Sequence, residues 1–133
     1  PSRVVCSVEF RHPAQTALEA MEAALHKVAE SLSLRGVAAV VGRIFDYAPI
    51  AFDAECLART EKAVAELGYS AKPMVSGAGH DACYVSKIAP ASMIFIPCVK
   101  GISHNEAERI LPEWSEKGAN VLLHSVLAAA QEK

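Results

Sequence analysis

A chain of 133 residues, 52% hydrophobic and 21% charged, has the composition of a globular domain or of a piece of a larger assembly, not of a disordered or fibrous protein. No apolar run approaches the roughly 20 residues that a helical bilayer span requires, which excludes a membrane protein of that kind. The net charge of -2, with no Lys/Arg block and no aromatic-basic interleaving, offers no electrostatic case for nucleic acid.

Residues 4–12 set the N-terminal element. In "VVCSVEFRH", Val4, Cys6, Val8 and Phe10 alternate with Val5, Ser7, Glu9 and Arg11, the period of a strand with one buried face. After Pro13, Leu18, Met21, Leu25, Val28 and Leu32 recur at steps of three and four and predict an amphipathic helix. Gly36 is its expected stop, and "VAAVVGRIF" reads as a second strand. The texture changes from Asp46, where "DYAPIAFDAE" places Pro49 and then Asp53 as the cap of a helix over 54–67. Gly68 is the expected stop of that helix, and a glycine-bearing loop, "SGAGHDA", leads to a short helix over 82–88. "SMIFIPC" is continuous apolar sequence of strand length, as in a buried central strand. Ser103 and Glu106 have capping-box spacing, which would make His104 the first residue of a helix. A last helix is expected over 112–130, with Trp114, Val121, Leu122, Val126 and Ala129 on its inner face and Gly118 as a weak point.

Four cysteines, Cys6, Cys56, Cys83 and Cys98, lie far apart without a C-x-x-C pair, so neither a zinc ribbon nor a redox motif is signalled. Each sits in or beside an apolar segment, and we read them as reduced core residues of a cytoplasmic protein. No signal peptide is read at the start, and because the chain opens on Pro1 we expect further sequence upstream.

Three places could carry chemistry. Gly77 and Gly79 would let backbone N–H groups approach an anion such as a carboxylate, or they merely form a turn. His104 is either a solvated residue at a helix start or a metal ligand. A catalytic zinc generally needs three protein ligands, and the chain shows no H-x-D, no H-E-x-x-H and no glutamate pair, so the other ligands would lie elsewhere. Arg11 on a strand's polar face could clamp a carboxylate with two donors or pair with a glutamate.

Taken together, "SVEFRHP", "SGAGHDA", "MIFIPCVKGISHNEAE" and "GANVLLHSVL" resemble the later part of the zinc-dependent hydantoinase/carbamoylase-type amidases. These comprise N-carbamoyl-L-amino-acid hydrolases, allantoate amidohydrolases and beta-ureidopropionases within the M20-like metallopeptidase superfamily. The resemblance runs over nearly the whole chain and implies an α/β fold. Residues 1–45 would be the strand-helix-strand second half of a ferredoxin-like lid and dimerisation domain. Residues 46–133 would be the C-terminal part of an M20-type mixed-sheet catalytic domain. It further implies that His104 is a metal ligand, that Arg11 holds the substrate carboxylate, and that Gly79 and His80 contact the substrate. The resemblance also implies that no catalytic residue falls in this chain, since the family's catalytic glutamate and remaining ligands would precede Pro1. The family usually has Asp where Glu9 stands and Pro where Glu106 stands.

The implied parent is an amidohydrolase that cleaves the carbamoyl C–N bond of N-carbamoyl or ureido acids with two divalent metal ions, zinc or manganese, as a homodimer through the lid. The 133-residue chain alone would hold no metal and be inactive. Alternatives are a non-catalytic interaction or dimerisation module, or a piece of an M20 dipeptidase or aminoacylase. His80 stands against the latter, since that branch more often has threonine before this aspartate.

Overall fold

The computed structural model describes residues 2–131; Pro1, on which the expectation of upstream sequence was based, lies outside them. The chain divides into two compact units. One runs through Ile50 and takes in Val75–Gly77, and the other holds Ala51–Met74 and the residues from Ala78 onward.

In the first unit, the apolar period predicted after Pro13 folds as α1, Gln15–Leu34. Leu18, Met21, Leu25 and Leu32 are half-buried on it while Val28 stays 55% exposed. Gly36 ends the helix at φ +81, a left-handed conformation that glycine adopts without a Cβ clash. From there Gly36 N–H reaches the Ser33 carbonyl and Val37 N–H the Leu32 carbonyl, both at 3.0 Å, so carbonyls that the helix leaves over are satisfied. Arg43 fastens the following segment to the helix. Its Nη2 donates to Glu22 Oε2 at 2.6 Å and its Nη1 to Asp46 Oδ2 at 2.7 Å.

The two strands expected around α1, and the one expected at "SMIFIPC", are not formed: the described residues contain helices and turns but no ladder. The reason is physical. Alternation marks a face, but a strand exists only when its N–H and C=O groups pair with a neighbouring segment, and no described segment supplies that pairing.

The second unit is built on α2, Ala54–Glu66, packed against α4, Pro112–Gln131. Asp53 caps α2, its carboxylate accepting from Cys56 N–H at 2.8 Å, and Gly68 ends it as Gly36 ends α1, with Gly68 N–H on Ala65 and Tyr69 N–H on Val64. Between them, α3 covers only Ala82–Val85, shorter than expected. The helices meet through Ala63 and Val121, 3% and 4% exposed. Gly118 lets α4 approach the 93–98 segment, since a Cβ there would stand 2.6 Å from Ile96 Cγ2. The predicted inner face of α4 is only half right. Trp114 and Val121 turn inward, but Leu122 and Val126 are 56% and 55% exposed. With Ala129, Ile94 and Ile96 they line an open groove of about 490 Å³.

No described helix is long and apolar enough to cross a membrane. All four cysteines are free, but Cys6 is exposed and the other three are half-buried, so the expectation of core cysteines fails for Cys6.

Candidate functional site

Arg11 is held from two sides within the first unit. Its Nε donates to Glu9 Oε1 at 2.6 Å, the pairing that period-two spacing allows on one polar face. Its Nη1 donates to the Gly77 carbonyl, 66 positions along the chain. Two motifs distant in sequence are thereby joined, and Nη2 is left without a partner among the described residues. The hydrogen bond from Arg11, and then its charge, hold the Glu9 carboxyl below the usual carboxylate range, while Glu9 raises the already high guanidinium value. Both side chains are more than half exposed, so the pair orients more than it stabilises. Beside it, His12 Nδ1 accepts from Ala14 N–H at 3.0 Å just ahead of α1.

The glycine loop is open around both glycines. A Cβ on Gly77 or Gly79 would meet nothing within 4 Å, and neither has a positive φ, so no described contact demands glycine there. The helix that follows is only four residues long, too short to lend much of a dipole. His80 is half-buried in the second unit, its ring edge-on to Phe95 with centroids 5.4 Å apart. Its carbonyl accepts from Cys83 N–H at 2.9 Å.

His104 does not begin a helix. It sits in a loop closed by Val99 N–H on the Arg109 carbonyl at 2.8 Å, with a short 3₁₀ turn over Val99–Gly101. Asn105 overrides the Ser103/Glu106 spacing: its side chain accepts from Ala107 N–H at 2.9 Å and its carbonyl from Glu108 N–H at 2.9 Å, a local turn that competes with a helix. His104 itself is left-handed, at φ 54, whereas the residue after a helix cap must be right-handed. Glu108 secures that conformation, with Oε2 accepting from His104 N–H at 2.8 Å and Oε1 contacted by the Cys98 thiol at 3.5 Å. Burial, then Glu108, pushes the Cys98 thiol up, so it remains a neutral donor. Sequence reasoning missed Glu108, and it singled out Gly77 for its N–H and not for the carbonyl that Arg11 uses. The turn-forming Asn105 was a readable signal for the loop, but nothing in the sequence pointed to the Gly77 carbonyl.

The imidazole of His104 is exposed and makes no hydrogen bond among the described residues, and imidazole nitrogen suits zinc and similar ions. No group of three His, Cys, Asp or Glu side chains able to hold a metal occurs among the described residues. This donor therefore fits a metal centre as one ligand, with the others from outside these residues.

The profile of peptidase family M20/M25/M40 matches residues 6–128. The chain belongs to that family. It is 43% identical to an N-carbamoyl-L-amino-acid amidohydrolase of Rhizobium meliloti, over 98% of this chain and 32% of that protein. It is 32% identical to an allantoate amidohydrolase of Bacillus subtilis strain 168, over 92% of this chain and 30% of that protein. The crystal structure of a hydantoinase/carbamoylase family amidase from Burkholderia multivorans superposes with a TM-score of 0.86 at 48% identity, covering 91% of this chain and 30% of that one. The M20 chain thus has an α/β-type enzyme fold and spans about a third of the length of these relatives.

Proposed function

We propose that the full-length M20 protein is a metal-dependent amidohydrolase acting on N-carbamoyl amino acids or related ureido acids, and that this chain is its C-terminal part. Residues 1–45 belong to a ferredoxin-like lid that also dimerises, and residues 46–133 to the catalytic domain. The observation that carries the reading is Arg11, fixed by Glu9 and the Gly77 carbonyl with Nη2 open. A guanidinium so oriented can receive the carboxylate of an amino-acid substrate through charge-assisted hydrogen bonds. Gly79 and His80 contact the substrate, and His104 is the ligand this chain contributes to a centre of two divalent ions, zinc or manganese. When bound, such ions supply Lewis-acid polarisation of the carbamoyl carbonyl. Water adds across the ureido C–N bond, and ammonia, carbon dioxide and the free amino acid leave. Arg11 keeps the carboxylate end of the substrate still while that bond breaks. No group of three side chains able to hold a metal occurs among the described residues, and on this reading the 133 residues alone are inactive.

Hydrolysis by the full-length protein of N-carbamoyl-L-amino acids and of allantoate, followed as ammonia release, and of dipeptides, followed as newly freed amino groups, with and without His104→Ala, tests the reading. Release from the carbamoyl or ureido acids, abolished in the variant, is expected. Hydrolysis of dipeptides alone would make the parent a peptidase, and full activity of the variant would remove His104 from the centre.

A further inference from the structure

The loop that carries His104 is an expensive one. Within five residues it holds three left-handed backbones, Lys100 at φ 59, Gly101 at φ 69 and His104 at φ 54. Only one of them is glycine, and the two others adopt a conformation that side chains disfavour. Backbone held in such regions persists when surrounding contacts fix it. Lys100 and Gly101 lie in a turn closed by backbone bonds, Gly101 N–H on the Cys98 carbonyl at 3.0 Å and Ile102 N–H on the Val99 carbonyl at 3.3 Å, whereas His104 is fixed by a side chain. Glu108 receives the backbone N–H of His104 at 2.8 Å on one oxygen and is contacted by the Cys98 thiol at 3.5 Å on the other. Cys98 lies at the opposite end of the loop, next to the Val99 to Arg109 closure. One carboxylate therefore ties the first residue of the loop to the residue at its tip.

We infer that Glu108 is a positioning residue for the metal centre: it locks the left-handed backbone of His104 and so aims the imidazole before any ion arrives. This rests on His104 being a metal ligand. Glu108 uses both oxygens inward, one on the backbone and one toward the thiol, so it acts through His104 and not as a ligand itself. Groups that orient a metal ligand in this way typically change metal affinity by 10- to 100-fold when removed. Because Glu108 grips the backbone and not the ring, the lower end is expected, about tenfold.

The test uses the full-length protein, stripped of metal, with Zn²⁺ affinity measured by competition against a chelator and metal-free thermal stability measured alongside. Glu108→Ala should weaken Zn²⁺ about tenfold with little change in the metal-free melting temperature. Glu108→Gln keeps one acceptor without the charge, and it should fall between the wild type and the alanine variant. That intermediate result also carries the test if the alanine variant fails to fold. His104→Ala should lose Zn²⁺ outright. Wild-type Zn²⁺ affinity in both Glu108 variants, with loss in His104→Ala, would overturn the positioning role and leave the ligand intact. Unchanged Zn²⁺ binding in His104→Ala would overturn the ligand and the positioning role with it. A fall in metal-free melting temperature with Zn²⁺ affinity unchanged would show Glu108 to be merely structural.

Discussion

Replacing Arg11 with lysine in the full-length protein separates a substrate clamp from a surface ion pair. The arginine has five N–H donors in a rigid plane. Nε is engaged by Glu9 at 2.6 Å, Nη1 is engaged by the Gly77 carbonyl, and Nη2 faces no partner among the described residues. A lysine has one nitrogen to serve the same three directions, so holding Glu9 and Gly77 leaves the substrate with a poorly aimed donor. Loss of one charge-assisted contact corresponds to about ten- to a hundredfold in kcat/KM. Because the Arg11 side chain is 57% exposed, salt screens part of that contact, and the gap between arginine and lysine should narrow as ionic strength rises. The assay compares hydrolysis of an N-carbamoyl amino acid with that of the matching amide lacking the carboxylate. The loss should be confined to the carboxylate substrate and should fall mainly in KM if the contact holds ground and transition states alike. Equal losses for both substrates would refute the reasoning and leave Arg11 as a structural tie between Glu9 and Gly77.

Two other outcomes follow from local geometry. Gly118→Ala should destabilise the protein by about 1 kcal/mol, because overpacking at 2.6 Å from Ile96 Cγ2 typically costs 1–3 kcal/mol and outweighs a helix-propensity gain of about 1 kcal/mol. The urea midpoint reports this, Ile96→Ala should make the same substitution less harmful, and a rise in midpoint for Gly118→Ala alone would disprove the close approach. Asp53, whose carboxyl is held below its usual range chiefly by the Cys56 N–H, should make α2 sensitive to acid. A depressed folded-state value means that its contribution is complete above the unfolded value and is lost as pH falls through the folded one. Helix protection in hydrogen exchange should therefore decline below about pH 4, Asp53→Asn should remove that part of the profile, and an unaltered profile would refute it.

What the sequence made legible was local. The helices α1, α2 and α4, the glycine stops of α1 and α2 and the Asp53 cap depend on contacts within about four residues, and those contacts are written in consecutive positions. The three expected strands depend on partners that no alternation names, and the described residues supply none. The His104 segment shows two local signals in conflict. Ser103 and Glu106 spell a helix start, while Asn105 makes a turn of its own, and the turn prevails once Glu108 holds His104 left-handed. Arg11 could be singled out as a clamp from its place on a polar face and from family resemblance, but its Gly77 partner, 66 positions away, could not. On α4 the period gave the helix without its true face, because one six-residue stretch carries both the buried Val121 and Leu122 with Val126, which line the open groove.

That groove and the loop of His104 point the same way. Ala63 and Val121 are the buried apolar residues among those described, a small core for a chain that is 52% hydrophobic. The apolar stripe of Leu122, Val126 and Ala129 has a matching wall in Ile94 and Ile96 but nothing between them. Likewise, His104 is held in a costly conformation by Glu108 yet belongs to no group of three metal-holding side chains among the described residues. A lone imidazole displaces too little of a divalent ion's water shell to bind it tightly. Strain at His104 is therefore chemically useful only where further ligands converge on it. An apolar groove of this size likewise gains stability only where further apolar surface fills it. Both requirements are met at once if the rest of a relative-length M20 chain packs into the groove and brings its ligands to His104.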